Sequence, residues 1–192
     1  PRASVGVGNA MQLDFEDATF DAAAAALALN FLPDPQTGAR EMTRVVNPGG
    51  LVAAYVWDYA REMRMIRVFF DAATELNPAA ADIDEGRRFS ICEPDALADC
   101  FMACGLSDVG VAALHVEMRF RNFDDYWQPF LGGQGPAPAY AMSLKESERN
   151  RVRDLIRSRL LEGPDGSIEM ISRAWAVRGR VPADRSSATG KG

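Results

Sequence analysis

The apolar pattern changes period along the chain, and each change falls at a punctuation residue. Phe20-Asp21 opens an unbroken apolar run, Ala22 to Leu29. Its alanines favour helix, yet a strand buried on both faces also reads as a continuous apolar run. Asn30 to Pro35 interrupts the run with two prolines. From Thr37 to Val46 the spacing is helical, with Ala39, Met42 and Val46 on one face and Arg40, Glu41 and Arg44 on the other. Asn47-Pro48-Gly49-Gly50 stops that helix, and Leu51 to Trp57 follows as a buried strand. Phe20 to Trp57 therefore predicts strand, helix, strand, the crossover from which parallel sheets are built.

On either side the pattern is more varied. Val5-Gly6-Val7 reads as a short strand leading into a turn at Gly8-Asn9-Ala10. Met63 to Leu76 and Glu93 to Cys104 are amphipathic helices separated by a polar loop, Pro78 to Arg88. Val109 to Phe120 and Ile168 to Val181 alternate as strands do. Between them lie an aromatic, helical Phe123 to Phe130, a GGQGPAP loop and a charged helix, Leu144 to Leu161. Pro182 to Gly192 is small and polar and is expected to fray.

Composition narrows the classes. With 192 residues, 47% of them hydrophobic, one globular domain is expected. The 21 basic and 27 acidic residues give a net charge of −6, which argues against general nucleic-acid binding, where a basic face must displace counterions. No apolar run approaches the ~20 residues of a membrane span, and Pro1-Arg2-Ala3-Ser4 opens no secretory signal. The chain does not begin with Met, as a processed or truncated chain would not. Three cysteines, Cys92, Cys100 and Cys104, form no even disulfide framework and no paired zinc spacing, so a reducing, cytoplasmic setting without metal is expected. His115 is the single histidine and lies in a predicted strand with no nucleophile motif, which points to a structural role.

Three segments carry a resemblance: GNAMQLDFEDATFD, LALNFLPDP and REMTRVVNPGGLVAAYVWDY. In order and spacing they resemble the class I S-adenosylmethionine-dependent methyltransferases, in the broad methyltransferase-11 group that includes the quinone-biosynthesis C-methyltransferases. DYWQPFLGGQGPAPAY and RAWAVRG are similar to a subgroup of the same enzymes. The resemblance implies an α/β fold with a Rossmann-like methyltransferase sheet, N-terminally truncated, and a helical insertion at about residues 121–162 before the last strand. It also implies a single domain over 1–181. In the family a Gly-rich cofactor loop precedes the GNA segment. Only eight residues precede Asn9, and Gly6-Val7-Gly8 is a poor substitute, so the loop is expected to be missing. Its loss would weaken or abolish cofactor binding. It would also leave an open sheet edge that invites an upstream segment, a rearranged sheet or a second chain to cover it.

The resemblance also implies roles for particular residues. S-adenosylmethionine would meet Asn9, Ala10 and Met11 at an adenine-side turn, with Asn9 accepting from the adenine amino group, and Ala26 and Leu27 at a strand end. Asn9 is equally an ordinary turn residue. A small-molecule substrate would meet Asn30, Phe31, Trp57, Tyr59 and Tyr126. Asn30 would orient a substrate hydroxyl or cap the following turn. Asp58 would act as a base or stand solvated. Tyr126 to Phe130 would form a lid hinged on the GGQG glycines or pack onto the core. Aromatic side chains near the transferring group suit a sulfonium cation. Methyl transfer to a small, apolar or aromatic molecule is the leading expectation. The alternatives are a non-catalytic relative serving as an oligomeric binding or interaction module, and a remodelled pocket with hydrolytic chemistry.

Overall fold

The structure, a computed structural model, describes residues 3–132 and 134–183. The expected crossover is present. β1 (Phe20–Ala26) leads through α1 (Pro35–Val45) to β2 (Val46–Trp57), and β1 and β2 pair in parallel, Ala22 opposite Leu51 and Ala26 opposite Tyr55. α1 starts where Asp34 accepts hydrogen bonds from the N–H groups of Gln36 (3.0 Å) and Thr37 (3.2 Å), with Pro35 at the first helical position. Its apolar face, Ala39, Met42 and Val45, is buried.

β3 (Ser107–Phe120) and β4 (Ile168–Arg180) complete a four-stranded sheet in the order β1-β2-β4-β3. β4 runs antiparallel to β2: Gly49 N–H donates to the Val181 carbonyl (2.7 Å), and Asp58 N–H donates to the Arg173 carbonyl (3.0 Å). The sheet is thus mixed, parallel between β1 and β2 and antiparallel between β2 and β4, with β1 at one edge among the described residues. The helical insertion before the last strand comprises α5 (Phe123–Trp127), α6 (Pro136–Ser143) and α7 (Glu146–Arg159).

The described residues fall into two compact units. The first comprises residues 3–56, Ile91–Ala113 and residues 175–183. In it α4 (Pro94–Ala103) packs on α1, and Leu29, Val45, Val46, Val52, Leu97 and Phe101 are buried. An open groove of about 400 Å³ runs over the sheet, lined by Ala24, Ala53, Tyr55, Ala112 and Arg178 among others. The second unit comprises Trp57–Ser90 and Leu114–Ala174. Its core joins α2 (Arg64–Leu76) to α5, α6 and α7 through Phe69, Phe70, Tyr126, Phe130, Val152 and Ile156. The Phe69 and Phe130 rings stack at 4.8 Å.

Four sequence expectations change. Residues 3–8 form no strand: Val5 and Val7 are fully exposed, and no neighbouring strand supplies hydrogen bonds to hold them extended. β2 begins at Val46 and takes in the Asn47–Gly50 stretch expected as a stop. Gly49 adopts φ +81° while still bonding to Val181, and a Cβ on Gly50 would lie 2.6 Å from the Asp21 carbonyl oxygen, so both glycines let β2 start close against its neighbours. The polar stretch Pro78 to Arg88 is a 3₁₀ turn (Pro78–Ile83) followed by the short α3 (Glu85–Arg88), capped by Asn77 and Asp84 in turn. The end of GGQGPAP already belongs to α6. The expected frayed tail lies, from residue 184 on, outside the described residues.

Candidate functional site

The C-terminal end of β1 turns abruptly. Leu27 adopts φ +52° while its N–H donates to the Tyr55 carbonyl at 2.9 Å. The left-handed region costs a side chain with a Cβ about 1 kcal/mol, and such residues gather at functional sites. One 3₁₀ turn, Leu29–Phe31, follows. Leu29 and Asn30 are buried, and Phe31 is exposed. Both polar atoms of the Asn30 carboxamide, Oδ1 and Nδ2, are without a hydrogen-bond partner in the structure. The cap that Asn30 might have supplied comes from Asp34 instead. Hydrogen bonds from the Thr37 hydroxyl and then the Thr37 N–H hold the Asp34 carboxyl below its ordinary value.

The Asn9–Gln12 turn lies beside this strand end in the same unit. A Cβ on Gly38, in the first turns of α1, would sit 3.8 Å from the Ala10 carbonyl oxygen and 3.7 Å from Leu29 Cδ1. Asn9 closes the turn itself: its Oδ1 accepts from Met11 N–H (3.0 Å) and its carbonyl from Gln12 N–H (2.9 Å). That is the ordinary turn role, and it engages the Met11 N–H. It leaves the second lone pair of Oδ1 and the amide N–H groups of Asn9.

The loop beyond the turn is tied down by Arg44 on α1. Its guanidinium donates to the carbonyls of Leu13 (2.9 Å) and Phe15 (2.8 Å) and to the Asp17 carboxylate (2.8 Å). Glu41 accepts from Arg44 Nε and from Leu13 N–H, both at 2.8 Å. The Arg44 hydrogen bond is the first cause that lowers the Glu41 carboxyl from its ordinary 4.5. The pattern of Arg40, Glu41 and Arg44 marked only a polar helix face, so this anchor was not legible in the sequence.

Asn9, Ala10, Met11, Ala26, Leu27, Asn30 and Phe31 thus belong to one unit. Trp57 ends β2, and Tyr59 and Tyr126 belong to the second unit. Tyr126 is a core residue rather than part of a lid. It is wholly buried, its hydroxyl donates to the Met65 carbonyl at 2.9 Å, and burial pushes its phenol up. Tyr59 is buried with its ring 5.5 Å from that of Phe89. Asp58 is neither solvated nor free to act as a base: it is 1% exposed and takes two hydrogen bonds from Arg173, at 2.9 and 2.6 Å. His115 is exposed. Cys92 and Cys100 are buried, Cys104 is half-buried, and no group of three metal-ligating side chains forms among the described residues.

Sequence reasoning missed two features of the second unit. Arg67 donates to both carboxylate oxygens of Asp84, at 2.6 and 2.9 Å, in a setting where both side chains are nearly buried. Glu85 is buried with Oε2 unpartnered, and burial raises its carboxyl to about 7. The polar character of Pro78 to Arg88 hid both.

Residues 2–54 match the methyltransferase domain family. A demethylmenaquinone methyltransferase of Bacillus pumilus is 32% identical over 126 residues, which cover 57% of this chain and 54% of that protein. One of Desulfitobacterium hafniense is 49% identical over 47 residues, covering 24% and 19%. The chain spans at most about half the length of these curated relatives. Among solved structures, a Bacillus halodurans protein assigned as a methyltransferase aligns with a TM-score of 0.55 at 14% identity, over 91% of this chain and 70% of its own. The YcgJ protein of Bacillus subtilis aligns at 0.52 and 14%, over 91% and 69%. The family match takes in both the Asn9 turn and the β1 crossover, and the structural alignments extend the likeness to the sheet: residues 2–54 are similar to the methyltransferase domain family, and the chain has the Rossmann-like fold of these enzymes.

Proposed function

We propose that this chain transfers the methyl group of S-adenosylmethionine to a small molecule. The observation that carries the reading is the family match over residues 2–54, which contains the turn and strand end that the structure sets side by side on α1. The residues present suit a nucleoside. Ala10 N–H has no hydrogen-bond partner among the described residues, and the Asn9 amide keeps donors and a lone pair for a heteroaromatic edge. The end of β1 is where open α/β sheets receive ligands, so Ala26 and Leu27 would flank the cofactor. Asn30 and Phe31 would face the acceptor.

S-adenosylmethionine supplies an electrophilic methyl on a sulfonium. The chain's task is then to align, exclude water and hold the acceptor in line, which needs little acid–base strength. The engagement of Asp58 with Arg173 agrees with this. The curated relatives named as demethylmenaquinone methyltransferases support a ring-bearing acceptor. Association of like chains through the open edge of β1 belongs to the same reading.

Isothermal titration with S-adenosylhomocysteine tests it. Micromolar binding is expected, and no heat at millimolar ligand would overturn the proposal in favour of a non-catalytic relative.

A further inference from the structure

We propose that Asn30 determines acceptor specificity by reading a neutral hydroxyl on the molecule to be methylated. This rests on the methyl-transfer reading above and adds the acceptor's chemistry to it. The Asn30 side chain is 95% removed from solvent, at 5% exposure, and both its donor and its acceptor atoms lack partners. Buried polar groups are nearly always paired, because an unpaired one keeps its full desolvation penalty. No structural role offsets that penalty here, since Asp34 does the capping and the backbone of the turn closes without the Asn30 side chain.

Its place is specific. It lies at the ligand-receiving end of a parallel strand, three residues after the left-handed Leu27 and next to the exposed ring of Phe31. The segment from Leu29 to Thr37 holds one charged residue, Asp34, whose carboxylate is taken up by Gln36 and Thr37. An ionised ligand group beside Asn30 would therefore find no counter-charge in this segment, and burying it would be costly. A neutral hydroxyl both donates and accepts. It satisfies Oδ1 and Nδ2 in turn, and Phe31 offers an adjacent aromatic face.

The test uses 1-naphthol and its methyl ether, 1-methoxynaphthalene, as probes on the chain with and without S-adenosylhomocysteine. The wild type should prefer the phenol by at least about tenfold, since a site built around a hydroxyl rejects the analogue that lacks the donor. Asn30→Leu should erase the preference, leave S-adenosylhomocysteine affinity unchanged and raise Tm. Asn30→Ala, which adds no atoms, should likewise erase the preference and leave S-adenosylhomocysteine affinity unchanged should leucine fit poorly. A wild type without preference overturns the proposal, as does a preference that survives in both variants. A variant that loses S-adenosylhomocysteine affinity assigns the hydroxyl to the cofactor ribose instead. Should the wild type bind no S-adenosylhomocysteine, the methyl-transfer reading fails, while the phenol-to-ether comparison on the chain alone still judges Asn30.

Discussion

Glu85 combines burial, an unpartnered Oε2 and a carboxyl raised to about 7, chiefly by desolvation. Its folded pKa lies above the unfolded value of 4.5, so the folded state holds the proton more tightly. The associated stability is fully present below that unfolded value and is lost as pH rises through about 7. Glu85→Gln keeps the shape and removes the titration. Thermal melts should show wild-type Tm falling between about pH 5 and pH 8 while the variant's stays flat, with each kcal/mol worth roughly 2–4 °C at this chain length. Equal slopes would place the carboxyl in solvent. At this scale the sequence was least readable. Asp58 looked like a loop carboxylate because its partner Arg173 lies 115 positions away. Tyr126 looked like a lid because an aromatic run reads alike on a lid and in a core. Only its hydroxyl bond to Met65, 61 positions away, separates the two. Asn30 suits a cap or a ligand contact equally in the sequence, and the cap falls to Asp34 in the structure.

Among the elements, the strand, helix, strand crossover from β1 to β2 was legible, because its punctuation is local: prolines and an acidic N-cap before α1, and apolar runs on both sides. The start of β2 was not, since strand pairing through Gly49 depends on Val181, far along the chain. Gly50→Ala should force β1 and β2 apart, because the added methyl would meet the Asp21 and Asn47 carbonyls at 2.6 and 2.9 Å. A loss of about 1–3 kcal/mol in urea unfolding is expected, as for other overpacked sites. An unchanged midpoint would show that the strands can yield. Arg67 joins α2 to the cap of α3 through Asp84. Arg67→Met leaves that carboxylate buried and unpaired, which should cost about 3 kcal/mol. The double variant with Asp84→Asn should recover much of the loss, and additive losses would deny the coupling.

For the whole molecule, the order β1-β2-β4-β3 leaves β1 unpaired on its outer side among the described residues, and the sheet carries an open apolar groove. Edge strands are usually guarded by lysine, proline or a bulge. Within Phe20–Ala26 the only charge is Asp21, and the one register shift, between Phe20 and Ala22, lies at the strand's start and leaves Ala22–Ala26 regular. The 192-residue chain alone should therefore self-associate with rising concentration in light scattering, and a strict monomer across the micromolar range would contradict this. The class of fold could be read from the early segments, whereas the seating of β4 beside β2 could not, because it joins residues more than a hundred positions apart. The Arg44 and Glu41 anchor has a consequence for how the molecule comes apart in acid. Glu41 keeps its charge below the usual carboxylate range, so the fastening holds above that range and loosens as pH falls through the lowered value. Pepsin digestion at descending pH should then nick the chain first around Leu13 and Phe15, releasing the front of the molecule while its body still resists the protease.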